Sequence, residues 1–258
     1  MSNIIVSIEG PVCLIKLNRP EKFNSVNHDL AYELQDQIDA CEEDRSIKAV
    51  VITGEGRAFC AGQDIDEIVN NPDLKIAQIL ETYYNPIVRK IRMSRLPYIC
   101  AVNGVAAGAG ANLAFCCDII ICSEAASFVQ AFSKIGLIPD SGGTWTLPRL
   151  VGYHKAFELM VTGEKLTAVN AEKIGLVNKV YSHETFLSES LKKAQQIATM
   201  PSKAIELTKK ALQQSLYSDL SSHLEIEKEF QAVAGDSYDY REGINAFVEK
   251  RPPVFRGE

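Results

Sequence analysis

No stretch of this 258-residue chain is apolar for long enough to cross a bilayer, and its first residues carry no charged leader ahead of an apolar segment. A cytoplasmic location and no membrane partner are therefore expected. Basic excess is missing as well. The chain has 27 Lys and Arg against 33 Asp and Glu, a net charge of −6. It has no global attraction for nucleic acid, and any anionic ligand must be held by a local group of cations. There are four histidines, and His28, His154, His183 and His223 have no partner at metal-ligand spacing. The seven cysteines contain no C-x-x-C, and Cys100, Cys116, Cys117 and Cys122 sit in apolar patterns where a thiol packs as a small hydrophobe. Neither a metal site nor a disulfide framework is expected.

What the chain does have is small residues in two places. The apolar strand Tyr98 to Val102 breaks at Asn103-Gly104 into Val105-Ala106-Ala107-Gly108-Ala109-Gly110-Ala111, a backbone almost without side chains. Such a backbone lets a ligand approach its amides, and small residues opening a helix leave N–H groups free. A dinucleotide fingerprint is disfavoured, because the third glycine of G-x-G-x-x-G is Leu113 and no acidic residue ends a strand at the usual distance. The second place, Gly54-Glu55-Gly56-Arg57-Ala58-Phe59-Cys60-Ala61-Gly62-Gln63-Asp64, clears its backbone in the same way.

A later loop, Gly136 to Gly143, holds one carboxylate, Asp140, among apolar and glycine neighbours. As a residue after proline it fits a turn. As a carboxylate with nothing nearby to pair it, it is a group whose pKa burial raises, suited to carrying a proton near neutrality. Ser141 has no histidine placed to activate it as a nucleophile, and its hydroxyl is expected to bond the loop backbone.

Along the chain, Ile4 to Glu9 and Val12 to Leu17 read as a hairpin around Gly10-Pro11. Asn27 caps a helix with Leu30, Leu34, Ile38 and Cys41 on one face. Ala49 to Thr53 is a buried strand, and Leu74 to Met93 a helical pattern that Pro86 should kink or break. Asp118 to Cys122 and Val177 to Tyr181 read as strands. Helices are expected over 144–150, 154–161, 167–174, 186–198, 204–216, from the box Ser222-His223-Leu224-Glu225, and over 243–249. The division expected is an α/β core over 1–184 and a helical region over 185–258, too small to be an independent enzyme domain.

With both glycine loops in view, the chain resembles the crotonase, or enoyl-CoA hydratase/isomerase, superfamily over essentially its full length. The resemblance rests on Asn18-Arg19-Pro20 with Asn24, Phe59 to Asp64, Asn103-Gly104 through Gly110, Asp118, Gly136-Leu137-Ile138-Pro139 with Gly142-Gly143, and Ala246 to Arg251. It implies a spiral of ββα units, a trimerising helical C-terminus giving a homotrimer or homohexamer, and an acyl-CoA substrate with no separate cofactor. Coenzyme A is part of the substrate. The implied donors to the thioester oxygen are the amides of Gln63 and Ala109. Implied substrate contacts are Ala61, Gly62, Asp64, Ile65, Gly108, Gly110, Asn112 and Phe132, with Lys22, and with Phe247 and Lys250 reaching the CoA of a neighbouring subunit.

The chain departs from the family's hydratases at their two glutamates, whose matching positions here are Asn112 and Phe132. Neither can move a proton as a carboxylate does, which argues against plain hydration. Asp140 matches the acid of the family's single-acid isomerases. Together with Trp145 and Asp239-Tyr240-Arg241-Glu242-Gly243, the pattern is most similar to the family's 1,2-epoxyphenylacetyl-CoA isomerases, which also shift a Δ3 double bond to Δ2. A hydratase-type lyase, a dehalogenase or hydrolase, and a non-catalytic RNA-binding or scaffolding member are the alternatives. The dehalogenases carry a histidine near Arg89 and a tryptophan at Phe132, and the RNA binders call for a basic face that a charge of −6 does not suggest.

Overall fold

A computed structural model describes residues 2–257. The chain opens as the expected hairpin, β1 (Ile4–Glu9) against β2 (Val12–Leu17), with Gly10 at φ +60° in the turn. Asn27 caps α1 (His28–Glu43) by accepting from the Leu30 amide, and Leu30, Leu34, Ile38 and Cys41 are buried along the face predicted for them. Then follow β3 (Ala49–Gly54), β4 (Ala58–Cys60), α2 (Ile65–Asn70) and α3 (Ile76–Ile79). A π turn over Leu80–Tyr84 leads into α4 (Asn85–Met93). Pro86 therefore does not break the helix. Proline lacks the N–H that would bond back to residue 82, and the Thr82 carbonyl instead accepts from the Gln35 side chain at 2.9 Å.

β5 (Tyr98–Val102) and β6 (Val105–Ala107) precede the short, wholly buried α5 (Ala109–Phe115). β7 (Ile119–Ser123) and β8 (Ser127–Val129) come next, then α6 (Gly143–Val151), α7 (Tyr153–Thr162), β9 (Lys165–Thr167), α8 (Ala168–Lys173) and β10 (Lys179–Tyr181). The strands form two sheets. The larger runs β1-β2-β3-β5-β7-β10, parallel from β2 onward, and the smaller runs β4-β6-β8-β9 with only β9 antiparallel. The smaller sheet was not foreseen, because three-residue strands are too short to show alternation.

The inner strands β2, β3, β5 and β7 of the large sheet are buried on both faces, as parallel strands covered by helices are. Alternate residues of each strand go to opposite sides: Ile15, Leu17, Val50, Ile52 and Cys100 join the main core, whereas Leu14, Val51, Ile99 and Ala101 meet Phe186, Ala194 and Ala198 of α9 (Phe186–Ala198). The first helix of the 185–258 region is thus a layer of the sheet, while α10 (Ser202–Gln214), α11 (Leu220–Gly235) and α12 (Tyr238–Glu249) stand apart from it. Lys209 of α10 ties that layer down, its ammonium donating to the carbonyls of Ile91 and Leu96 and to Asp118.

Three helix starts in the 185–258 region differ from expectation, the first being α10, which begins at Ser202 rather than at 204. α11 begins under Asp219, whose carboxylate accepts from the Ser222 amide, so Ser222 lies inside the helix. α12 begins at Tyr238 under Ser237, a full turn before Gly243. The C-terminal segment folds back over α12, with Arg251 paired to Glu242 and the amides of Arg256 and Gly257 donating to Asp239. Of the pair Lys250-Arg251, Arg251 is thereby engaged and Lys250 is left exposed at φ +55°. Among the described residues no helix is long and apolar enough to cross a membrane.

Candidate active site

The two glycine loops leave neighbouring parallel strands of the small sheet. Cys60 of β4 pairs with Ala106 of β6, and three residues further along each chain stand Gln63 and Ala109. The first loop is fixed from outside. Asn24, fully buried with φ +55°, holds the Arg19 amide and donates to the carbonyls of Glu55 and Ala58, while Arg19 pairs with Asp64 at 2.8 Å. The Ala61 amide donates to Phe23 and the Asp64 amide to Val26, at 3.0 and 2.8 Å. Between them the Gln63 amide has no acceptor among the described residues.

In the second loop Gly108 takes φ +52° and ψ −127°, a conformation only glycine adopts readily. Its amide donates to Val129, and its carbonyl accepts from Ala111 and Asn112. The amides of Ala109 and Gly110, at the start of α5, have no acceptor among the described residues. The loops touch backbone to backbone: a Cβ on Gly110 would lie 2.2 Å from the Cys60 carbonyl oxygen, and one on Gly62 would lie 2.9 Å from that of Ala107. The small-residue composition is what permits this contact, and it sets Gly62, the neighbour of Gln63, against Ala109, whose nitrogen would lie 3.4 Å from a Cβ on Gly62.

The Asp140 backbone is tied to the helix that Ala109 opens, through Asn112. The Asn112 side chain, 1% exposed, donates to the Asp140 carbonyl at 2.8 Å and accepts from Gln130 at 2.9 Å, so the acid's loop is clasped to the helix that opens with Ala109. Gly143, the first residue of α6, packs directly on the Asn112 amide. Ser141 sits at φ +51°, and its hydroxyl donates to the Asp140 carboxylate at 2.7 Å rather than to the loop backbone as expected. Burial pushes the Asp140 carboxyl above the usual aspartate range, with the Ser141 hydrogen bond opposing.

The remaining expected contacts divide. Phe132 is buried with its ring against Gly108, and Ala61, Gly62 and Gly110 belong to the loops themselves. Asp64 caps α2 and pairs with Arg19, so its carboxylate holds the loop. Ile65 is exposed beside it, and Lys22 pairs with Asp66 at 2.6 Å on the surface. Asn112 has both ends of its amide committed to the clasp. Phe247 is 84% exposed on α12, which packs on α11. Sequence reasoning missed Gln130 and the clasp itself, since buried amide side chains carry no periodic signal, and it gave Asn24 only as part of the family pattern. All seven cysteines are buried and unpaired, and no group of His, Cys, Asp or Glu among the described residues could hold a metal ion.

The chain also matches known proteins over its whole length. The model of the enoyl-CoA hydratase/isomerase family matches residues 7–258. The chain is 42% identical over 263 residues to the 1,2-epoxyphenylacetyl-CoA isomerase of Escherichia coli (strain K12), covering 100% of both. It is 35% identical to the 2,3-dehydroadipyl-CoA hydratase of the same strain, again over 100% of both chains. The crystal structure of an enoyl-CoA hydratase from Bacillus anthracis superposes with a TM-score of 0.93 at 33% identity, covering 99% of this chain and 100% of that one.

Proposed function

Because the chain belongs to the enoyl-CoA hydratase/isomerase family, we propose that it is an acyl-CoA isomerase with a single acid/base, Asp140. The Gln63 and Ala109 amides hold the thioester oxygen. As Asp140 takes a proton from the α-carbon, the electron pair of that C–H bond moves into an enolate whose negative oxygen faces two preorganised donors. Returning the same proton at the γ-carbon moves a Δ3 double bond to Δ2 and leaves Asp140 ionised again. One carboxylate serves both ends.

The observation that carries this reading is the identity of the group beside Asp140. Hydration needs one group to activate water and a second to donate a proton. Here the nearest polar side chain on α5 is the amide of Asn112, spent on the Asp140 carbonyl and Gln130. The 42% identical relative named for epoxyphenylacetyl-CoA isomerisation supports the same side of the family and suggests that substrate. The test is a panel of 3-enoyl-CoA, 2-enoyl-CoA and 1,2-epoxyphenylacetyl-CoA followed by mass and ultraviolet spectrum. The expected products of the first and third have unchanged mass. Rapid gain of one water by 2-enoyl-CoA, with 3-enoyl-CoA untouched, would make the protein a hydratase.

In the same reading the protein is a trimer or a pair of trimers, and Phe247 and Lys250 meet the CoA of a neighbouring protomer. Phe247 and Val248 are 84% and 73% exposed, an apolar pair that a lone protomer leaves in water. Light scattering of the full chain should give three or six copies, and a stable monomer that turns over acyl-CoA would remove this part of the proposal.

A further inference from the structure

One carboxylate beside the first loop has no role in the steps above. Glu67 of α2 is half-buried and takes donors from three different elements. The Gln63 side chain donates to its Oε2 at 2.8 Å, and the His28 amide, at the start of α1, donates to its Oε1 at 2.8 Å. The Tyr83 hydroxyl, in the π turn, reaches the same Oε1 at 3.4 Å.

These bonds matter because α2 has little else to hold it. None of its six residues is buried, and Ile68 alone of its apolar side chains packs on the core. The Lys22–Asp66 pair lies at the surface, where an ion pair contributes little. Arg19 holds the cap residue Asp64 ahead of the helix, and Glu67 is the tie within it.

Gln63 lies between those two ties. In its parallel bridge with Val26, the Val26 amide donates to Gly62 at 2.7 Å and the Asp64 amide donates to Val26 at 2.8 Å. The residues flanking Gln63 thus face Val26, and its own N–H faces away. What the bridge leaves free is rotation of that peptide about the chain axis, and the side chain bonded to Glu67 limits it. The Gln63 side chain has only a long second contact, to the Asp64 carbonyl at 3.4 Å, and its Oε1 is buried with no partner among the described residues.

We infer that Glu67 is a positioning residue for the oxyanion donor: it fixes the Gln63 side chain, and through it the direction of the Gln63 N–H, without touching substrate. The inference rests on the reading that this N–H holds the thioester oxygen. A donor helps most when it is aimed before the charge develops, and a displacement of about 1 Å costs on the order of 10²-fold in rate.

Glu67→Ala should lower kcat on the order of 10²-fold and change KM by less than about threefold, because the contact it disturbs tightens toward the transition state. The melting temperature should stay within about 3 °C of wild type, since α2 adds no buried side chain to the core. Glu67→Gln should recover most of kcat: its carbonyl still accepts from the His28 amide, and its NH₂ can donate to the Oε1 of a turned Gln63 side chain. In Gln63→Ala, which keeps the backbone N–H, adding Glu67→Ala should cost less than about a further threefold, as expected of two residues acting through one bond. Full additivity of the two losses, a loss in Glu67→Gln as large as in Glu67→Ala, or an unchanged kcat in Glu67→Ala would each overturn the inference.

A spectroscopic measurement into which no proton transfer enters separates it from the reading it rests on. In an Asp140→Asn background, the carbonyl stretch of bound phenylacetyl-CoA, isotope-labelled at the thioester carbon, should lie at lower frequency than in water. Adding Glu67→Ala should remove part of that shift. An equal shift with and without Glu67 would refute the positioning role alone, and no shift in either would remove the oxyanion donors and the role of Glu67 together.

Discussion

Asp140→Asn lowers kcat by about 10²–10⁴ while the chain stays folded and binds acyl-CoA with little change, the loss usual for a positioned acid/base. The replacement is close to isosteric, and the loop's anchors are unaffected, because the Asn112 side chain and the Gly143 amide hold the Asp140 backbone carbonyl rather than its carboxylate. Stability should move the other way. An acid whose folded pKa is raised binds its proton more readily folded than unfolded, so it weakens the fold as pH climbs from the usual aspartate range through the raised value. Asparagine has no such dependence, and the variant should melt higher than wild type at neutral pH. Wild-type activity should rise through the same elevated range, since only the ionised carboxylate accepts the α-proton. A variant with near-normal kcat would take Asp140 out of the reaction.

Lys209→Ala should cost about 3 kcal/mol in urea unfolding, at the lower end of what breaking a buried ion pair costs. The Lys209 side chain is 8% exposed and that of Asp118 is 21% exposed, and the latter figure keeps the estimate low. Three acceptors lose one donor at once: the carbonyls of Ile91 and Leu96 and the carboxylate of Asp118, each 2.8 Å from the ammonium. Asp118 also accepts from the Tyr98 amide, so the damage reaches the central strand. Adding Asp118→Asn should restore part of the loss by removing the uncompensated charge. A single-variant loss below about 0.5 kcal/mol, ordinary for an exposed position, would show that water serves these groups equally well.

Where a pattern was long enough to repeat, the sequence disclosed the structure. Asn27 with Leu30, Leu34, Ile38 and Cys41 displayed both a cap and a face, and the apolar runs of β2, β3 and β5 could only be strands buried on two sides. Asp219 was passed over because Ser222 with Glu225 imitates a capping box, and two side chains three residues apart can each fill that role. Nothing in the run from Leu80 to Tyr84 distinguishes a π turn from an α turn except Pro86, whose missing N–H shifts the pattern instead of ending it. Around the site, glycines marked the two loops and the segment that holds Asp140, while Gln63 and Ala109 were singled out by the family resemblance. Asn112 had been read as a substrate contact, because its bonds to residues 18 and 28 positions away exist only after folding.

The adjacency of β4 and β6 has a metric consequence. Two N–H groups that approach one oxygen along its two lone pairs, each from about 2.9 Å, have nitrogens about 5 Å apart. Neighbouring strands of any sheet lie about 4.8 Å apart. Gln63 and Ala109 stand equal counts beyond the Cys60 and Ala106 register, past the ends of β4 and β6. On the reading proposed here, the spacing of the oxygen's cradle starts from the sheet's own repeat, and the backbone contact at Gly62 and Gly110 carries it past the strand ends. Substitutions around the loops can tilt or crowd the cradle. A side chain at Gly62 or Gly110 would force the two loops apart and widen it.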